Sequence, residues 1–199
     1  MPNELPKRKP TRLYGFDYST EGLYFITICT KDRKCILSKI VGDVPLSNTD
    51  HHVGGGALDA PRVVLTDIGK IVERHLLGCN KMPSVYIDKY VIMPNHIHII
   101  VGISRGVEAP PPTSVRLPAN SRGVEAPPPT CTNSTHSPAN ALIPHFVSTF
   151  KRFCNAEIGK NIFQRSFYDH VIRSMREYEE IAQYIAKNPQ TWREDSLYQ

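Results

Sequence analysis

Residues 85–103 read VYIDKYVIMPNHIHIIVGI and carry the strongest strand signals in the chain. Residues 85–93 and 96–103 are rich in β-branched and aromatic side chains, a composition typical of strands. Between the two runs stand Pro94 and Asn95, a pair that favours a turn. The stretch therefore predicts a β-hairpin, which makes an antiparallel sheet the expected framework of the fold.

Further strand and helix patterns surround this hairpin. They are recognised by β-branched runs, by apolar residues at helical spacing, and by turn residues at the ends of the segments. The predicted elements are a strand at 23–30, helices at 66–78, 142–158 and 176–187, and a short strand with a turn within 163–172. In the second helix we expect Phe146, Phe150 and Phe153 on the buried face. This order predicts an α+β sandwich with an antiparallel sheet and helices on one face.

Composition excludes several classes of protein. Of 199 residues, 40% are hydrophobic and 22% are charged, which is typical of a globular chain rather than a disordered one. No apolar stretch approaches the roughly 20 residues that span a bilayer, and the N-terminus lacks the apolar core of a secretory signal. Five cysteines without CxxC spacing indicate neither a disulfide framework nor a zinc finger. We therefore expect a cytoplasmic protein without a membrane partner, whose net charge of +5 permits an anionic one.

The prolines are concentrated in one segment. Nine of the 17 lie between Ser104 and Pro144, where SRGVEAPPPT occurs twice, at 104–113 and 121–130. Triple prolines flanked by Ser, Thr and Asn are typical of extended linkers. A second irregular patch occupies residues 45–61. The sequence therefore predicts one domain over residues 1–199, with irregular insertions at about 45–61 and 104–141.

Two histidines in the hairpin are candidate metal ligands. The strand period places His96 and His98 on one face and Ile97 and Ile99 on the other. Two imidazoles spaced in this way on a rigid strand can bind one divalent ion. The alternative is that they are two partly exposed polar residues on a solvent face.

The last predicted helix carries a second candidate pair. Its core stripe consists of Tyr178, Ile181, Ala182 and Ile185, at helical spacing. Tyr184 lies off this stripe, and Asn188 follows it by one turn on the same face. The two could present a phenol nucleophile and an oxygen ligand together. Alternatively, they are a surface tyrosine and an ordinary helix-capping asparagine.

Together, the His-hydrophobe-His strand and the tyrosine on a C-terminal helix resemble the HUH single-strand DNA nucleases. The chain as a whole is similar to the IS200-like, REP-associated tyrosine transposases. The matching segments, in the same order, are YFITICTKDRKCIL at 24–37, VIMPNHIHIIVG at 91–102, FVSTFKRFCN at 146–155, FQRSFYDHVIR at 163–173 and EEIAQYIAKNP at 179–189. The resemblance implies a ferredoxin-like α+β domain with the catalytic tyrosine on the C-terminal helix.

The same resemblance assigns roles to single residues. His96 and His98 match the pair that binds Mg²⁺ or Mn²⁺, and Tyr184 matches the nucleophile. Asn188 stands where the wider group has a glutamine metal ligand, and its amide oxygen is one methylene shorter in reach. His170 matches a recurrent histidine of open role, either close to the metal or in contact with DNA. Tyr168 is a rival nucleophile, ranked second to Tyr184, because it is also typical of an aromatic residue in a strand or turn.

The function implied by the resemblance is metal-dependent cleavage and rejoining of single-stranded hairpin or repeat DNA through a 5′-phosphotyrosine intermediate. The alternative is a domesticated hairpin-binding protein that no longer cleaves. A monomer or a homodimer, nucleoid-associated when bound to DNA, fits either function. Candidate DNA-binding cations are Lys7, Arg8, Lys9, Arg12, Lys151 and Arg152. Solvated charges on the N-terminus and on a helix surface would give the same pattern.

Overall fold

A computed structural model of the protein describes residues 17–42, 61–104 and 141–198. Six strands and three α-helices follow one another within these ranges. In chain order they are β1 (Gly22–Cys29), β2 (Ser38–Val41), β3 (Arg62–Leu65), α1 (Asp67–Gly78), β4 (Val85–Ile92), β5 (His96–Ile103), α2 (Leu142–Ile158), β6 (Tyr168–Ile172) and α3 (Met175–Lys187). All three predicted helices and the predicted hairpin are confirmed.

Four of the strands form one antiparallel sheet in the order β4-β5-β1-β6. The hairpin joins β4 to β5, and β1 pairs with β5 along its whole length. In sequence, α1 lies between β1 and β4, and α2 lies between β5 and β6. A β-α-β-β-α-β succession with this strand order is the ferredoxin-like arrangement. The predicted fold class is therefore confirmed.

Helices α1 and α2 cover one face of this sheet. Alternate side chains along a strand point to the same face, and those of β1 and β5 on this side are fully buried with side chains of the two helices. The group includes Ile26, Ile28, Ile97, Ile99, Val72, Leu76, Phe146 and Phe150. Each such side chain contributes about 1.5–3 kcal/mol when it leaves water. This face therefore holds the main core of the domain.

Helix α3 lies on the opposite face of the sheet. Its Ile185 is buried against Leu23, Ile100 and Ile172, which form a second apolar cluster. The expectation of helices on one face therefore holds for α1 and α2 but not for α3. The reason lies in β5, where all eight residues are buried. A strand with apolar residues on both faces needs cover on both.

Phe153 departs from the sequence prediction. The buried stripe of α2 follows Ile143, Val147, Phe150 and Cys154, which are spaced by four, three and four residues. Phe153 lies about a quarter turn from the centre of that stripe. Its side chain is 49% exposed and its ring stacks on His75 of α1. Phe146 and Phe150 are buried as predicted.

A separate two-stranded sheet formed by β2 and β3 was not predicted from the sequence. The two strands are antiparallel, with Ser38 opposite Leu65 and Val41 opposite Arg62. Each is only four residues long, too short for a clear period-two pattern.

Several sequence predictions lie outside the described residues. They concern the basic residues Lys7, Arg8, Lys9 and Arg12, and the insertions at 45–61 and 104–141 apart from their described ends. Among the described helices, none has the length and apolar character that a membrane span requires.

Replacing residues 105–140 by a short flexible linker should leave the fold intact. The ends of this segment have anchors of their own, since the Ser104 amide donates to the Ser84 carbonyl at 3.0 Å and the Leu142 amide donates to Ser19 Oγ at 3.1 Å. Loop length changes stability only slowly. Thermal unfolding followed by circular dichroism should give a cooperative transition within about 5 °C of the full chain. An unfolded product would mean that the proline-rich segment is part of the architecture.

Candidate active site

Strand β5 places His96 and His98 side by side on the face that α3 covers. His96 lies opposite Cys29 and His98 opposite Thr27 in the β1–β5 register. The two ring centroids are 4.4 Å apart, and the residues are only 0% and 3% exposed. The alternative of two polar residues on a solvent face is therefore wrong.

Hydrogen bonds fix the orientation of both rings. Nδ1 of His98 lies 2.8 Å from Thr27 Oγ1, and Nδ1 of His96 lies 2.8 Å from Asn95 Oδ1. The Asn95 amide nitrogen donates to the Leu197 carbonyl at 2.8 Å, so its oxygen must accept from His96. With a proton on each Nδ1, the Nε2 atoms carry the lone pairs that can bind a metal ion.

Helix α3 brings Tyr184 to the second histidine. The Tyr184 hydroxyl lies 3.1 Å from His98 Nε2, and the two ring centroids are 5.1 Å apart. Burial, reinforced by the Asp195 carboxylate, raises the pKa of Tyr184 above its ordinary value. The hydroxyl therefore keeps its proton near neutral pH. When His98 carries its own proton on Nδ1, the hydroxyl is the donor of the hydrogen bond to His98 Nε2. All these groups belong to one chain.

The segment after α3 returns to the histidines and contributes an acid. The Trp192 side chain is buried, with its ring 5.8 Å from that of His96. Asp195 Oδ2 lies 3.9 Å from His96 Nε2, and its side chain is only 3% exposed. It accepts a hydrogen bond from Asn188 Nδ2 at 3.2 Å, and its Oδ2 lies 3.5 Å from the Tyr184 oxygen.

These side chains fit a divalent cation. His96, His98 and Asp195 each offer one ligand atom, and the three atoms lie within 4.8 Å of one another. Among the described residues, none forms a hydrogen bond with the buried atoms His96 Nε2 and Asn188 Oδ1. Buried acceptors without a donor are costly, and His96 Nε2 lies 3.9 Å from the Asp195 carboxylate. A bound cation would satisfy them, while imidazole, carboxylate and amide ligands leave the identity of the metal open.

Both imidazoles are neutral near neutral pH. Burial lowers the pKa of His96 to about 4, although the Asp195 carboxylate acts in the opposite direction. Burial and the adjacent His96 keep the pKa of His98 well below its ordinary value. Neutral imidazole is the form that coordinates metal ions. The His96–Asp195 contact is therefore one between a neutral ring and a carboxylate, not an ion pair.

The two candidate nucleophiles occupy different places. Tyr168 is on β6, which is separated from β5 by β1. Its side chain is 53% exposed, and its ring meets that of Phe25 edge to face at 6.5 Å. Tyr184, in contrast, has its hydroxyl on His98 Nε2. The geometry favours Tyr184 over Tyr168.

His170 connects the sheet to the start of α3. Its Nε2 lies 2.6 Å from Glu177 Oε1, and Glu177 Oε2 accepts from the Arg173 amide at 2.7 Å. The Ser174 hydroxyl in turn accepts from the Glu177 amide at 3.2 Å, so Ser174 caps the start of the helix. His170 thus anchors the first turn of the helix that carries Tyr184, and it is not a member of the metal-ligand group.

Glu177→Gln should destabilise the protein by about 0.5–1 kcal/mol at neutral pH, because it weakens the contacts of a partly exposed carboxylate with the Arg173 amide and His170. The Arg173 amide and His170 hold the pKa of Glu177 below its ordinary value. Because the pKa of Glu177 in the folded protein lies below the ordinary value of 4.5, its ionised carboxylate stabilises the fold at pH values above 4.5. This contribution is lost as the pH falls through the lowered pKa. Urea unfolding at several pH values measures the difference. Glu179→Gln, at an exposed position of α3, is the control, and an equal loss there would contradict the assignment.

The two predicted cations of α2 have different surroundings. Lys151 Nζ donates to the carbonyls of Gln164 at 2.8 Å and of Ser166 at 3.0 Å, and burial lowers its pKa to about 8. Arg152 is exposed and its guanidinium lies over the Phe153 ring at 5.3 Å. Lys151 therefore supports the loop before β6, a role that the sequence did not reveal. Contact of either residue with DNA remains a prediction.

The structure brings His96, His98, Tyr184 and Asn188, all predicted from the sequence, together with Asp195, which was not predicted. It lies 11 residues beyond Tyr184 in TWREDSLYQ, and no periodicity indicates that this segment turns back. The available signal was Trp192, the only tryptophan of the chain. A tryptophan close to a terminus indicates that the segment is anchored to a core.

The fold has a counterpart among solved structures. A solved structure of a REP-associated tyrosine transposase bound to a REP hairpin is similar to this chain, with 16% sequence identity, a TM-score of 0.52, and coverage of 92% of this chain and 73% of that one. The fold is thus that of the IS200-like, REP-associated tyrosine transposases. An uncharacterized protein of Haemophilus influenzae is 31% identical over 197 residues, which cover 96% of this chain and 93% of the relative. The chain belongs to the same family as this Haemophilus protein. No family model matches the chain.

Proposed function

We propose that the protein is a metal-dependent single-strand DNA endonuclease and strand transferase that acts on hairpin or repeat DNA through a 5′-phosphotyrosine intermediate. One observation carries this proposal: the Tyr184 hydroxyl lies 3.1 Å from His98 Nε2, within a buried group of acceptors suited to a cation. A nucleophile beside a metal site is the arrangement that phosphoryl transfer requires.

His96, His98 and Asp195 would hold the ion, Mg²⁺ or Mn²⁺, with Asn188 as a further oxygen ligand. The ion supplies Lewis-acid polarisation of the scissile phosphate. Thr27 and Asn95 act through the histidines, because their hydrogen bonds hold Nε2 of each ring towards the site. Such partners typically change metal affinity by about 10- to 100-fold when removed.

The Tyr184 oxygen forms the new bond to phosphorus. The bond from phosphorus to the 3′ oxygen of the preceding nucleotide breaks, and that oxygen leaves as a 3′-hydroxyl after taking up a proton. Because its pKa is raised, the phenol must lose its proton to a neighbouring acceptor. Asp195 Oδ2, 3.5 Å from the hydroxyl, is the proposed acceptor, because the single lone pair of His98 Nε2 would be held by the ion. Attack by another 3′-hydroxyl on the phosphotyrosine reverses the step and joins strands.

Hairpin DNA is the proposed partner for two reasons. The similar solved structure is that of a transposase bound to a REP hairpin, and the net charge of +5 favours an anionic ligand. A monomer and a homodimer are both compatible with this site. We propose that the protein works in the cytoplasm on the nucleoid.

A pool of labelled hairpin oligonucleotides with randomised single-stranded flanks tests the proposal. Incubation with Mn²⁺ or Mg²⁺ should yield a covalent protein–DNA species that survives denaturing electrophoresis and is absent when EDTA is added. Sequencing the captured strands identifies the substrate. Retention of hairpins on a filter with no covalent species under any condition would support the domesticated hairpin-binding protein instead.

A further inference from the structure

A pocket of about 420 Å³ opens beside the Tyr184 ring, on the side of the sheet that α3 only partly covers. Its walls include Phe25, Thr27, His98, Phe167, Tyr168 and Tyr184. This volume lies within the range of small-ligand sites. The nucleophile is itself one wall, so whatever fills the pocket lies next to the bond that Tyr184 attacks.

Aromatic rings dominate this pocket. Phe25 is one of them and stacks on His98 with 5.2 Å between ring centroids. The rings of Tyr168 and Tyr184 meet Phe25 nearly edge to face, at 6.5 and 6.2 Å. Tyr168 is more than half exposed, although an aromatic side chain usually loses most of its surface on folding. The exposed parts of the Tyr168 and Tyr184 rings therefore line a space that a flat ring system can enter.

The segment 164–167 provides another wall of the pocket, and Lys151 holds it in position. Gln164 and Ser166 line the pocket, and their carbonyls accept hydrogen bonds from Lys151. Phe167 completes this wall, with Lys151 Nζ 5.8 Å from its ring centroid. The carbonyls are therefore satisfied by the protein, which leaves side-chain groups and ring faces to contact a ligand.

We infer that this pocket binds one unstacked nucleobase of the DNA strand, next to the phosphate that Tyr184 attacks. The inference rests on the proposed function. A phosphate that reaches the Tyr184 hydroxyl carries its adjoining nucleotides to the pocket rim, and every base offers a π-face to aromatic walls. A base within a duplex is stacked on both sides and cannot enter. The pocket thus accounts for a requirement for single-stranded DNA beside the hairpin.

Binding measurements test this without any cleavage. Tyr184→Phe protein is titrated, by fluorescence anisotropy, against the hairpin that binds best from the randomised pool. It is then titrated against copies of that hairpin that each lack one base in the flank. One abasic position should weaken binding about tenfold. Adding Tyr168→Ala should weaken binding of the intact strand by a similar factor but should have little effect on the strand that lacks that base.

Two further variants test whether the aromatic ring of Tyr168 is responsible for the change in binding. Tyr168→Phe restores the ring and should recover binding relative to Tyr168→Ala. Phe153→Ala removes an exposed aromatic ring on the opposite face, outside the pocket, and should bind like the parent protein. When removal of the base at a flank position and Tyr168→Ala weaken binding by independent factors, the combined loss is the product of the two. If this holds at every position, no base stacks in the pocket and the inference is overturned. If no hairpin from the pool binds at all, the proposed function itself fails.

Discussion

Tyr184→Phe should abolish covalent capture of DNA while leaving the fold intact. The change removes one hydroxyl from a ring that is 43% exposed, so the free energy of unfolding should shift by no more than about 1 kcal/mol. The same hydroxyl is the only atom of this side chain that can form a phosphotyrosine. Loss of a nucleophile typically lowers turnover by at least about 10³-fold. Denaturing gels of labelled hairpin DNA with Mn²⁺ measure the effect.

Tyr168→Phe is the matched control for this prediction. It removes the rival hydroxyl, keeps the ring, and should still form the covalent species. A covalent species that persists in Tyr184→Phe and disappears in Tyr168→Phe would identify Tyr168, not Tyr184, as the nucleophile. Circular dichroism melts of both variants show whether a lost signal reflects chemistry or unfolding.

Replacing the metal-ligand group should weaken cation binding even when no DNA is present. His96→Ala removes a buried ligand atom, and Asp195→Asn removes the only charged ligand while keeping its shape. We expect Mn²⁺ affinity to fall by at least about 10- to 100-fold in each variant, as it does even when only a supporting partner is lost. Isothermal titration calorimetry measures this directly. The rise in melting temperature that Mn²⁺ causes by binding the folded state should shrink in parallel.

Glu194→Gln is the control for the tail residue. It removes an exposed carboxylate next to Asp195 and should keep the affinity of the parent protein. Asn188→Ala tests the second oxygen ligand. It removes the amide oxygen and also the hydrogen bond to Asp195. Unchanged Mn²⁺ affinity in Asp195→Asn, together with a large loss in Asn188→Ala, would exclude Asp195 as a ligand. It would favour the set that the family resemblance implies, which is His96, His98 and Asn188.

The local elements were predictable because their signals are local. Alternation along 96–103 located β5 and placed His96 and His98 on one face, and helical spacing identified α3 with Tyr184 off its apolar stripe. Both periods follow from backbone geometry alone. The position of α3 on the second face of the sheet depends on tertiary packing, which no single period encodes.

The missing parts of the site depend on long-range contacts. Thr27 reaches His98 across 71 residues of sequence, and Asn95 reaches Leu197 across 102. Asp195 enters the group only because the segment after α3 turns back, with Trp192 buried as its anchor. A threonine, an asparagine or an aspartate has no pattern of its own that marks such contacts. The family resemblance identified residues at motif positions, and Asp195 lies beyond the last of them.

Peptide mapping of the covalent species tests the central claim most directly. The protein is captured on its labelled hairpin substrate, the DNA is trimmed by nuclease, and the modified peptide is located by mass spectrometry. A nucleotide phosphate linked to the hydroxyl of Tyr184, which lies against His98, is the predicted result. A nucleotide on Tyr168, or on any residue outside α3, would contradict the account.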